Sequence, residues 1–200
     1  MSKVTWKGST LLAPLPSVLV TSRHNGVDNV FTVAWAGIIN SQPPKCSISI
    51  RPERLSYDMI KASREFVINI PTSFMARAVD YCGCVSGRKT DKFAAAKLAT
   101  TPATQVDCLQ IEGCPITLEC KVFDIVPMGD THDMFLADIV AVNVDEKALD
   151  ENGKLRMDKC SLLAYAHGDY FALGKKVGSF GFSVKKKHKS PCRRSNKKLK

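Results

Sequence analysis

Apolar and polar residues alternate with a period of two over much of this 200-residue chain, the pattern of half-buried β-strands. Segment 17–23, SVLVTSR, runs into HNGVDN, whose Asn25-Gly26 pair favours a tight hairpin turn. Further strands are expected over about 30–38, 45–51, 65–71, 114–126, 133–145 and 161–173. The compact polar stretch PMGDTH between 126 and 133 argues for a hairpin. Gly174, Gly178 and Gly181 recur at spacings of four and three and read as tight backbone turns that close the barrel.

Helical patterning is sparse. One helix is expected to start near Ser56 as N-cap, with Asp58 in its first turn complementing the dipole. A second is expected over 73–81, where Phe74, Ala78 and Tyr81 share a face and Gly83 provides a stop. Segment 91–99 predicts a further short turn. No strand–helix alternation and no G-x-G-x-x-G occur, so a Rossmann dinucleotide domain is not indicated. Many short strands with few helices predict a mainly β protein, a closed or partly closed barrel.

The stretch VDNVFTVAWAGIINSQPPKCSISIRPERLSYDMI, residues 27–60, departs from an ordinary core pattern. Val30, Thr32, Ala34 and Ala36 share one face of its first strand, and Phe31, Val33, Trp35 and Gly37 the other. In the next strand Cys46, Ile48 and Ile50 point one way while Ser47, Ser49 and Arg51 point the other. A wall of hydroxyls and small side chains, followed by Arg51 and Arg54 and then a helix start at Ser56, suits a planar ligand with an anionic group. Hydroxyls hold a polyol, and a cation beside helix amides holds a phosphate. The same residues also fit a plain solvent-facing surface, and spacing alone leaves both readings open. Trp35, a large aromatic on the apolar face of a barrel strand, reads as core.

Composition narrows the class. Hydrophobic residues make up 44% and charged residues 24%, as in ordinary globular domains. The longest apolar runs are short and broken by Pro14 and Pro16, so no membrane span is expected, and no signal pattern follows Met1. A cytoplasmic protein is the expectation. The net charge of +10 sits in the tail 185–200, KKKHKSPCRRSNKKLK, with nine Lys or Arg and no acid. The remainder carries 20 basic against 19 acidic residues. Such a run is read as a disordered, solvated tail following one domain over 1–184. No aromatic interleaves its charges, so nucleic-acid binding is a remote alternative, as a non-catalytic barrel with a binding tail. Eight cysteines contain no C-x-x-C pair, and reduced thiols are expected without a metal site. Cys82-Gly83-Cys84 leaves a redox role open.

Taken together, NVFTVAWAGIINSQPPKCSISI, SYDMI, EFVINIP, SGRKTDKF and GDYFALGKKVGSFGFSV resemble the flavin reductase-like, flavoredoxin-type FMN-binding proteins, over about 12–184. The resemblance implies a split β-barrel that forms a homodimer and binds FMN without a covalent bond at the subunit interface. Activity would be that of an NAD(P)H-dependent flavin reductase, with NADH or NADPH as donor. The alternative is a flavoredoxin-like electron-transfer protein reduced by a protein partner. By the same resemblance Asn29, Thr32, Ala34 and Trp35 form the flavin-facing strand. Ser47, Ile48, Ser49 and Arg51 line the ring and its side chain. Ser56 and Tyr57 meet the phosphate at the helix start, with Lys92 as a second cation. His132, His167 and Tyr170 are candidates near the ring, each also readable as turn or packing residues.

Overall fold

The computed structural model describes residues 1–184; the expected tail at 185–200 lies outside the described residues. Among the described residues there are twelve strands and three short α-helices. The strands are β1 (Leu15–Pro16), β2 (Val18–His24), β3 (Val27–Val33), β4 (Ala36–Ser41), β5 (Pro44–Ile50) and β6 (Glu65–Ile70). They continue with β7 (Thr100–Pro102), β8 (Leu109–Ile111), β9 (Ile116–Pro127), β10 (Asp133–Val144), β11 (Leu163–Ala166) and β12 (Asp169–Ala172). The helices are α1 (Leu55–Ser63), α2 (Ala76–Cys84) and α3 (Lys92–Ala95).

Seven strands form one antiparallel sheet in the order β3-β2-β6-β9-β10-β5-β4. Its two edge strands are consecutive in the chain, and one apolar cluster shows why. Phe31 and Val33 from β3 pack with Cys46, Ile48 and Ile50 from β5, Phe66 and Ile68 from β6, and Phe135 from β10. Residues from both ends of the sheet reach the same interior only if the sheet curls into a barrel. Tyr57 and Ile60 of α1 belong to that interior as well. A second cluster lies outside, where Val79 and Cys82 of α2 pack on Leu19 and Val30.

Alternation along β5 is as expected, with Cys46, Ile48 and Ile50 buried and Ser47 and Ser49 half-buried on the other face. The β2–β3 hairpin turns at Asn25 and Gly26, both at positive φ, and the 128–132 connection joins β9 to β10. Three expectations are corrected. Segment 30–38 is two strands, because the chain turns a corner at Ala34 and Trp35. Segment 161–173 is a hairpin, turning at His167 and Gly168, which both have positive φ. The glycines after 173 do not close the barrel; that closure lies between β3 and β4, and only Gly181 of the three has positive φ. The seven cysteines of the described residues are free thiols. Among those residues no helix is long and apolar enough to cross a membrane.

Glu119 on β9 anchors the loop before β8. It is fully buried, and its carboxylate accepts from the amides of Thr104 (3.0 Å) and Gln105 (2.6 Å) and from Asn143 Nδ2 (2.7 Å). Burial opposes its ionisation, but these donors outweigh it and hold the carboxyl below the usual range. Glu119→Gln turns a donor toward those amides and should cost about 2 kcal/mol in urea unfolding at neutral pH. The depressed folded pKa stabilises the protein above the ordinary glutamate range and less as pH falls below it. The gap between wild type and variant should therefore narrow in acid.

Candidate functional site

Two adjoining cavities open where β3, β5, α1 and α2 meet. The larger, about 410 Å³, is lined by Thr32, Ala34, Trp35, Ser49, Arg51 and His132 on one group of elements, and by Ser17, Asp80, Cys84, Tyr165 and Tyr170 on another. The smaller, about 230 Å³, is lined by Asn29, Arg54, Ser56, Gly87 and Lys92, among others. Phe31 and Arg54 border both.

The corner between β3 and β4 builds the first wall. Trp35 carbonyl accepts from the Ser49 amide at 2.9 Å, tying the corner to β5. The break in alternation turns Trp35 out of the core; it is 45% exposed and stacks on His132 at 5.9 Å between ring centroids. The core expectation for Trp35 is thus corrected. His132 stands in the β9–β10 turn, where burial and then Arg51 and Arg54 lower its pKa, with Glu53 partly offsetting them. A largely neutral imidazole results at pH 7, with one N–H to donate.

The smaller cavity is a cationic niche. Asp91 caps α3, its carboxylate accepting from the amides of Phe93 (2.9 Å) and Ala94 (3.2 Å), and this fixes the position of Lys92. Lys92 is only 4% exposed, and its Nζ donates to the Cys82 carbonyl at 3.1 Å. Arg54 Nη1 donates to the Gly83 carbonyl at 3.2 Å. Both cations therefore cap the C-terminal end of α2, whose last carbonyls lack intrahelical donors. Neither forms an ion pair among the described residues, and Glu53 on the rim is paired with Arg51 at 2.7 Å. Arg54, Leu55 and Ser56 also bring the start of α1 to the same niche, where the Tyr57 amide is already turned onto the Arg54 carbonyl at 3.0 Å and the Leu55 and Ser56 amides are the ones without an intrahelical acceptor. Gly87 has no room for a side chain: a Cβ there would overlap the Asn29 carboxamide and Leu55. Asn29 in turn donates to Ser56 Oγ at 2.7 Å.

Most of the residues expected from sequence converge here. Asn29, Ser56 and Lys92 line the smaller cavity, and Thr32, Ala34, Trp35, Ser49, Arg51, His132 and Tyr170 the larger. Others do not. Ile48 and Tyr57 turn into the barrel core, where Tyr57 OH donates to Asp133 at 2.6 Å. Ser47 lines neither cavity, and His167 instead meets the Leu12 carbonyl at 3.2 Å. Ser56 is not the N-cap; Arg54 holds that position, and Ser56 is buried inside the first turn. Thr32 spends its proton on the Val79 carbonyl. Ser17, Asp80, Cys84, Tyr165 and Gly87 were not among the expected residues. Cys84 carried a signal only as part of Cys82-Gly83-Cys84, and Gly87, in SGRK, as a glycine where two elements approach closely.

Comparison with known proteins decides the lineage. The sequence profile of the flavin reductase like domain matches residues 11–174. This chain belongs to the flavin reductase-like family. Flavoredoxin of Desulfovibrio vulgaris (Miyazaki F) superposes with a TM-score of 0.85 at 30% identity, over 92% of this chain and 100% of that one. Flavoredoxin from Methanosarcina acetivorans does so with a TM-score of 0.82 at 25% identity, again over 92% of this chain and 100% of that one. An uncharacterized protein of Pyrococcus abyssi is 30% identical over 165 residues, 82% of this chain and 93% of that protein. The fold is the family's split barrel, mainly β and antiparallel.

The niche has a measurable signature in a member of this family. Burial pushes the Lys92 amine down to about 8, with Arg54 adding to the effect and Cys82 opposing it. In the ligand-free protein the folded state then holds fewer protons than the unfolded chain from about pH 8 up to the ordinary lysine value of 10.5. Stability should rise with pH in that window relative to Lys92→Met, as chemical unfolding at matched pH values would show.

Proposed function

We propose that this protein binds FMN, with the phosphate in the smaller cavity and the ring in the larger, and acts as an NAD(P)H-dependent flavin oxidoreductase. The observation that carries this reading is the buried Lys92, which with Arg54 and the start of α1 leaves cationic and N–H donor capacity facing one niche, where the nearby acid, Glu53, pairs with Arg51 instead. That is charge-assisted phosphate recognition. The donor set fits the group, and the lack of a side chain at Gly87 lets Asn29 reach its place on Ser56 beside it. Lys92, Arg54 and the α1 amides would hold the phosphate, with Asn29 and Ser56 beside it. Ala34, Trp35, Ser49, Arg51 and His132 would frame the ring.

When bound, FMN supplies the redox chemistry, taking up an electron pair and giving it back in one- or two-electron steps. The chain's residues orient and tune. Small Ala34 keeps one wall shallow, Ser49 offers a hydroxyl, and His132 presents an N–H whose position is fixed by stacking on Trp35. No acid–base pair is required of the protein for such a transfer. A second reading, an electron carrier fed by a protein partner, is favoured by the exposure of Trp35 at the cleft rim and by the likeness to flavoredoxins. Both readings carry the expectations of a cytoplasmic site of action and of a homodimer. The exposed apolar side chains of Leu12, Ile38, Ile39 and Phe171 suit the latter.

Titration with FMN should give saturable binding by absorbance, and Lys92→Met should weaken it by roughly 10–100-fold while riboflavin, lacking the phosphate, is little affected. An anion raises the Lys92 pKa, so FMN affinity should hold below about pH 8 and fall above it. Anaerobic addition of NADH or NADPH then separates the readings: bleaching of the flavin supports the reductase, and binding without bleaching the carrier. No saturable FMN binding would overturn both. Light scattering on the purified chain tests the dimer, for which a monomer mass would be decisive against it.

A further inference from the structure

A phosphate asks only for positive charge, which an amine in water supplies, so phosphate binding does not account for the burial of Lys92. The amine is 4% exposed; burial first, then Arg54, brings its pKa down to about 8, with Cys82 opposing. About half of it is uncharged near pH 8, where an ordinary lysine is almost wholly protonated. No carboxylate beside it holds the proton in place. On α3 Asp91 is engaged with the Phe93 and Ala94 amides, and around the start of α1 Glu53 pairs with Arg51 and Asp58 with Arg88. On α2 burial keeps the Cys82 thiol protonated, and β3 brings the neutral Asn29 to the niche. The amine faces donors instead: Arg54, whose Nη1 reaches the Gly83 carbonyl at 3.2 Å, and the Leu55 and Ser56 amides. An uncharged amine beside a cation and free N–H groups can capture a small neutral electrophile and hold the anion it becomes. A bulky reagent has poor access to so buried a group, but a niche of about 230 Å³ admits carbon dioxide.

We propose that Lys92 is a carbamylation site, whose amine takes up carbon dioxide to give a carbamate held by Arg54 and the Leu55 and Ser56 amides. The Nζ lone pair forms the bond to carbon, one C=O π pair moves onto oxygen, and a proton leaves Nζ for water. No oxidant, reductant or leaving group is needed. The carbamate nitrogen keeps one N–H, enough for its bond to the Cys82 carbonyl. Lys92 thereby changes from a potential cation into an anion, and Arg54 becomes its partner. A flavin phosphate would then meet a niche already occupied and neutralised, so carbon dioxide would regulate entry. That consequence rests on the FMN reading; the carbamate itself does not.

The test uses the full chain, desalted free of flavin and equilibrated with carbon-13 carbon dioxide and bicarbonate near pH 8. A trialkyloxonium salt esterifies any carbamate, and peptide mass mapping locates the ester. Lys92 should carry at least about tenfold more label than any other lysine, because those are protonated. At fixed dissolved carbon dioxide the label should fall well below pH 8, where the Lys92 amine is protonated too. Inorganic phosphate should displace it, and Arg54→Gln should lower it by about fivefold. No ester on Lys92, label spread evenly over the lysines, or a Lys92 ester indifferent to phosphate would each overturn the site. Mapping the wild-type chain gives these answers even if the variant fails to fold. FMN titration at matched pH and ionic strength, with and without carbon dioxide, tests the regulation, with about fivefold weaker binding expected in its presence. Equal FMN affinity despite the ester would overturn the regulation. Failure of the FMN reading looks different: no flavin binds in either buffer, while the Lys92 ester still forms.

Discussion

A sheet curled into a barrel has a seam, and the constraint on this structure is where the chain crosses it. β3 and β4 are the two edges of the seven-stranded sheet, and Ala34 and Trp35 carry the chain from one to the other. At such a corner the two-residue alternation fails. A residue that would otherwise point inward is turned out, and Trp35 becomes part of a cavity wall rather than of the core. The Ser49 amide, bound to the Trp35 carbonyl at 2.9 Å, fixes the corner against β5 and so sets Ser49 and Arg51 on the same wall. Barrel closure and site formation are thus one event in the packing.

The same geometry explains what could be read from the chain and what could not. β5 obeys strict alternation, so the inward Cys46, Ile48 and Ile50 and the outward Ser49 were legible residue by residue, and so was the hairpin at Asn25-Gly26. Trp35 misleads because its strand is extrapolated through a corner that composition does not mark. The final hairpin is hidden for a similar reason, because His167 takes positive φ without being glycine or asparagine. Ser56 looks like a cap, yet Arg54 is the N-cap and the serine serves Asn29 instead. Ser17 and Asp80 carry no pattern of their own; they become neighbours only when the β1–β2 junction, α2 and β12 are folded together.

Electrostatics divides the paired cavities. Lys92 and Arg54 lie at the C-terminal end of α2, where its carbonyls are negative, and α1 presents the positive end of its dipole to the same niche. Asp80, one turn earlier on α2, brings the only carboxylate of the larger cavity's lining, among the two Tyr rings.

Lys92 also links folding to ligation. Its amine is capped onto α2 and packed beneath α3, so removing it from water is the consequence of bringing two helices together. The folded chain tolerates the desolvation by letting the proton leave near pH 8. An anion in the niche would reverse this, holding the proton on Lys92 and neutralising it at once. The free energy of that reversal appears as ligand affinity and, by linkage, as stability of the α2–α3 region. A lysine left in water would supply the same charge with little of that coupling. Burial at this position is therefore what converts an ordinary surface cation into a group whose protonation, ligand and local fold depend on one another.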